Sequence, residues 1–129
     1  MTEQEKIQLQ RETEIKLCRW QDNKLSKVLE VLKSSTNNIF TTPTSLGDVR
    51  LEILGLVAKS RPAFEIMNFT DDDWQALLLH CLSVPMETKD GHAVASVKGY
   101  IKQIISDYRC ELLTKTQELK EELKSDSIT

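Results

Sequence analysis

Asp71, Asp72 and Asp73 bring three carboxylates together in this chain of 129 residues, and clustered hard oxygens are what Mg²⁺ and Ca²⁺ prefer. They follow Thr70, however, and successive helical residues fan out by about 100° each, so the three cannot converge on one ion. A threonine followed by acids is what a helix start requires, with side chains capping free amides and facing the positive end of the dipole. The stretch also lacks the alternating acids, central glycine and closing glutamate of an EF-hand loop. His80 and Cys81 are adjacent and His92 stands apart, with no second pair at zinc-like spacing. Cys81 falls on an apolar face bordered by His80, whereas a reactive thiol needs electropositive, partly exposed surroundings. The expectation is a chain with no catalytic residue, no metal and no cofactor; a small enzyme working through Asp71 to Asp73 or through Cys81 with His80 is the third reading.

Phosphate chemistry fares little better. Gly47, Gly55, Gly91 and Gly99 are scattered and form no phosphate loop. Gly55 and Gly99 fall inside helical patterns, where each costs about 1 kcal/mol relative to alanine, and close approach of a neighbouring helix is the expected compensation. Lys98, Lys102 and Arg109 share one stripe beside the apolar seam of the last helix, a basic face that could lie against a nucleic-acid backbone. Asp107 and Glu111 dilute that charge, and the connection over residues 84–91 is longer than the turn of a helix-turn-helix. Asn68-Phe69-Thr70 matches a glycosylation sequon but reads as accidental without a secretory signal. Trp20 and Trp74 lie near apolar stripes and are expected as core anchors.

The elements that would position these residues are helices. Thr2 and Glu5 have the form of a capping box, and no Gly or Pro follows until about Lys33. Ile7, Ile15, Cys18, Trp20, Leu25, Val28, Leu29 and Leu32 give an imperfect stripe, interrupted at Asp22-Asn23, where a kink or a break would end the continuity of the helix. Ser34 to Thr44 reads as a loop pinned by Ile39 and Phe40, with Pro43 turning its predecessor away from helix. Thr44 or Ser45 caps a second helix carrying Leu46, Val49, Ile53 and Leu56, expected to end near Ser60 to Pro62. Ala63 to Phe69 forms a short extra helical turn. Thr70 with Asp73 starts a third helix, with Trp74, Leu77, Leu78, Cys81 and Leu82 on one face, and Pro85 stops it. After Glu87 to Gly91, with Asp90 as cap, Val94, Val97, Ile101, Ile104 and Tyr108 recur at heptad spacing. The pattern continues through Leu112, shifts phase near Lys115 and resumes at Leu119 and Leu123, so the last helix spans Gly91 to Lys124.

The fold class is therefore all-α: a bundle of four main helices and one short helix, its long first and last helices pairing antiparallel. One domain is expected, with a compact core over about 16–112 and charged helical extensions from 1–15 and 113–126. Such extensions cannot bury their apolar edges alone. Ile7, Leu9, Leu112, Leu113, Leu119 and Leu123 must be covered by each other or by a second molecule. Charge supports a solvated protein: 17 basic against 20 acidic residues give −3, with no bulk reason to expect nucleic acid or an anionic membrane. Residues 1–35 and 92–129 are nearly balanced, and the acid excess lies between them. Three distant cysteines, Cys18, Cys81 and Cys110, make no disulfide framework, and neither a secretory signal nor a membrane span is evident. The expectation is a cytoplasmic or nuclear protein-interaction or scaffold module that meets a protein partner or a second copy of itself, and no membrane. A nucleic-acid-associated regulator using Lys98, Lys102 and Arg109 is the second reading.

Overall fold

The computed structural model describes residues 2–34, 46–87 and 91–128. Four helices occupy them: α1 Glu3–Ser34, α2 Leu46–Ile66, α3 Asp71–Glu87 and α4 Gly91–Ile128. Expectations for Ile39, Phe40, Pro43, Thr44, Ser45 and Asp90 lie outside the described residues.

Helix α1 opens as its capping residues dictate: the Glu5 amide donates to Thr2 Oγ1 at 3.2 Å, and the Lys6 amide to the Thr2 carbonyl at 3.1 Å. It then runs unbroken across Asp22-Asn23. An aspartate weakens a helix by competing for nearby backbone amides, but the Asp22 carboxylate accepts from Arg109 of α4 at 2.7 Å instead.

Helix α2 departs from expectation. It does not end at Pro62 but continues to Ile66, so the short fifth helix is absorbed into the end of α2. An interior proline costs about 3 kcal/mol because it lacks an amide donor and crowds the carbonyl four residues back. Beyond it, Phe64 and Met67 are buried, each contributing about 1.5–3 kcal/mol, which together outweighs that cost. The real stop is Asn68, whose φ of 61° is left-handed. The Phe69 amide donates to the Phe64 carbonyl at 3.0 Å and the Asn68 amide to the Glu65 carbonyl at 3.1 Å, the paired bonds of a Schellman motif. Its accompanying hydrophobic contact is the Phe64–Phe69 ring pair, with centroids 4.7 Å apart. Asn68, read from sequence as a glycosylation coincidence, is thus the residue that terminates α2.

Two residues later Thr70 starts α3 with a complete capping box, the Asp73 amide donating to Thr70 Oγ1 and the Thr70 amide to Asp73 Oδ2, each at 3.1 Å. Pro85 does not stop this helix, which runs two residues further to Glu87. On α4, Val94, Val97 and Ile101 are buried as expected, but the seam then steps to Ile105, leaving Ile104 and Tyr108 half-buried. It continues through Leu112, Thr116 and Leu119. The apparent phase shift near Lys115 arises because a polar residue holds a seam position. The buried Thr116 hydroxyl donates to the Leu112 carbonyl at 2.8 Å, so its burial strands no polar group.

The α1–α4 interface is the most extensive, α2 packs against α1, α3 and α4, and α3 against α2 and α4. The long helices are antiparallel: Arg11 pairs with Glu122 at 3.1 Å and Asp22 with Arg109 at 2.7 Å, eleven residues on along α1 and thirteen back along α4. The contiguous core runs from Cys18 to Leu112 and includes the fully enclosed Leu25, Leu32, Ile53, Phe64, Val97 and Ile101. Outside that cluster, Ile15 and Leu119 are still buried. No helix among the described residues is long and apolar enough to cross a membrane.

Candidate functional site

The six terminal apolar residues separate into two groups. Leu112 and Leu119 are buried and Leu123 is half-buried, so this edge of α4 is covered within one chain. Ile7, Leu9 and Leu113 stay open, the last 72% exposed. Beside Leu113 a groove of about 250 Å³ runs between α1 and α4, lined by Cys18, Asp22, Leu112, Thr116 and Lys120 among others.

The largest departure from sequence expectation is Trp20. It is not a core anchor: its indole is 53% exposed, with Lys24 Nζ 5.8 Å from the ring centre. Trp74 is half-buried against the core, 5.8 Å from Phe64, with the Arg61 guanidinium 5.2 Å from its ring. At about 100° per residue, Trp20 lies opposite Ile15, Cys18, Leu25 and Leu29, the buried side of α1. Around it a sector roughly 100° wide contains Lys6, Leu9, Thr13, Lys16, Leu17, Trp20, Lys24, Lys27 and Val31. All nine are exposed. None is acidic, although α1 carries six acids; Glu5 lies at the edge of the sector in the first turn, and Glu3, Glu12, Glu14, Asp22 and Glu30 lie further round. Sequence reasoning missed this face because one stripe already accounted for the core. The signal was present in Leu9, Trp20 and Val31, which recur every eleven residues, three full turns.

The basic stripe on α4 is rearranged. Arg109 is held by Asp22, with Nε to Oδ1 at 2.7 Å and Nη2 to Oδ2 at 3.4 Å, and that hydrogen bond, opposed by burial, keeps the guanidinium above its ordinary value. Lys98 has Lys102 and, unforeseen, Lys59 of α2 as cationic neighbours. Burial first, then these two like charges, push its pKa below the ordinary lysine value.

The other candidates resolve simply. Asp71, Asp72 and Asp73 are all exposed, and Asp73 is occupied as a cap. No group of three or more metal-ligating side chains occurs among the described residues. Cys81 is fully buried and burial pushes its thiol from 9.0 up to about 11, leaving it protonated at neutral pH. His80, one residue away, is exposed and packs against Tyr100 at a tilt of 46°, ring centroids 4.9 Å apart. The side chain of His92 lies outside the described residues. Gly55 and Gly99 do not admit a close helix: both are exposed, and a β-carbon at either would meet nothing within 4 Å.

Comparison with known proteins finds no matching family model, no matching curated protein and no matching solved structure.

Proposed function

We propose that this chain is a non-catalytic helical interaction module that engages a partner surface through the outward face of α1. The observation that carries the reading is the exposure of Leu9 at 52%, Leu17 at 52%, Trp20 at 53% and Val31 at 47% on one side of a helix whose opposite side is buried in the bundle from Ile15 to Leu32. Exposed apolar residues are ordinary when scattered; four on one face, including an indole, suit a binding surface. Self-association through the terminal seam has less to work with, since Leu112 and Leu119 are already covered by their own chain.

Site-specific crosslinking in cells tests this reading. A photoreactive side chain at position 17 or 31 should give defined adducts that the same group at Glu52 or Glu65 does not. Indistinguishable adduct patterns from all four positions would overturn it.

A second reading rests on Lys59 of α2 beside Lys98 and Lys102 of α4, a group of cations that would suit a phosphate backbone. It expects binding to a duplex that weakens steeply with salt and is lost in Lys59→Glu with Lys102→Glu.

A further inference from the structure

The outward face of α1 has a chemistry that selects a partner class. Its four cations, Lys6, Lys16, Lys24 and Lys27, are interspersed with its apolar side chains, and no acid stands among them. The overall charge of −3 averages this distribution away. An acidic protein, a nucleic acid or an anionic bilayer could each supply the countercharge, and the apolar side chains discriminate among them.

A docking helix reads anchors at steps of three, four and seven. Here the steps from Leu9 to Leu17, Trp20 and Val31 are eight, three and eleven, too sparse for an interdigitated seam. A phosphate backbone gives such residues nothing to bury into. A bilayer interface accepts separated apolar side chains along a rod, here about 33 Å from Leu9 to Val31 at about 1.5 Å per residue. Between them lysines extend apolar stems along the interface while their ammonium groups meet headgroup phosphates, and an indole takes its preferred place at headgroup depth.

We infer that this face of α1 lies on an anionic phospholipid surface, with its lysines on the headgroups and Trp20 at the boundary with the acyl chains. The inference rests on the reading of this face as the binding surface. It adds only the partner. Because α1's opposite side is packed against the bundle, docking requires no unfolding: the whole domain lies down on the membrane with α1 beneath it.

The test uses the full chain with Trp74→Phe, so that Trp20 is the sole indole. Titration with vesicles of equimolar phosphatidylserine and phosphatidylcholine should shift Trp20 emission to the blue and carry the protein into the vesicle pellet. Pure phosphatidylcholine should do neither, and added salt should weaken binding, since the attraction decays within a Debye length. Reversing three charges, Lys16→Glu with Lys24→Glu and Lys27→Glu, should lower partitioning by at least about a hundredfold. Trp20→Ser should lower it several-fold. Reversal of Lys115 and Lys120, exposed on α4 and off this face, should leave it nearly unchanged. Circular dichroism checks that each variant remains helical. No blue shift on the anionic vesicles, equal binding to both vesicle types, or equal loss from the Lys115 and Lys120 reversal overturns the lipid assignment. Crosslinks from positions 17 and 31 to a protein, with no vesicle binding, would also overturn it while leaving the binding face intact.

Discussion

The corner joining α2 to α3 and the rod pair formed by α1 and α4 are held together by different physics. At the corner every connection is local: Asn68 closes one helix, Thr70 and Asp73 open the next, and Phe64, Phe69 and Trp74 pack within a few residues of one another. The rods meet across the length of the chain, through Arg11–Glu122, Asp22–Arg109 and a thin line of buried residues ending at Leu119. Exposed or half-exposed ion pairs contribute at most about 1 kcal/mol each, so burial must carry most of the rod pairing. The difference teaches that the corner is specified by residue identity at fixed offsets, whereas the rods depend on a register that only the assembled bundle imposes.

Breaking the corner should have the largest effect. Phe64→Ala removes a fully buried ring, and the free energy of unfolding in urea should drop by about 3–5 kcal/mol, with amide protection falling across all four helices. The rods should respond more locally. Leu119→Ala is expected to cost about 2 kcal/mol, the low end for such a change because the site can collapse. Its hydrogen-exchange protection should be lost in 3–15 and 113–125 while the core stays protected. A uniform loss from Leu119→Ala, matching that from Phe64→Ala, would mean that rod and corner form one cooperative unit.

The thiols sharpen the same contrast. Cys81, in the core, has a folded pKa of about 11 against an ordinary 9.0, so the native state holds its proton more tightly than the unfolded state does. Its contribution is intact below pH 9 and is lost as pH rises toward 11, on the order of 2 kcal/mol. Urea unfolding should show that decline, and Cys81→Ala should flatten it; identical slopes would remove the thiol as its cause. Cys110, exposed on the rod, should react with a thiol reagent in the native protein well before Cys18 or Cys81. The smallest effect is a gain. Gly55→Ala and Gly99→Ala each place a β-carbon in open space on a helix, and each should stabilise by up to about 1 kcal/mol. A loss at either position would show a constraint that the static geometry lacks.

The helices and their starts were legible because their causes are short-ranged. Thr2 with Glu5 and Thr70 with Asp73 act over three residues; Thr70 and Asp73 make both bonds of the box, and Thr2 makes its half by accepting from the Glu5 amide. Stops were read less well. Pro62 and Pro85 looked terminal, yet both helices continue beyond them. In α2, burial of Phe64 and Met67 outweighs the missing amide, and that burial depends on a partner helix the local sequence does not contain. The outward face of α1 was misjudged for a similar reason: Trp20 is large and apolar, and its type alone favours the interior, yet it is 53% exposed. Arg109 shows the reverse case, a residue assigned to an open basic face whose charge is answered by Asp22, eighty-seven positions away.

Taken alone, residue order settles what three- and four-residue spacings can encode: helical class and the capped starts. The bundle decided everything that depends on which surface meets which. It covered Leu112 and Leu119 from within, paired Arg109 with Asp22, brought Lys59 beside Lys98, and turned one acid-free side of α1 outward. Periodicity marks an apolar stripe on a helix, but only packing against a partner determines which of two stripes is hidden.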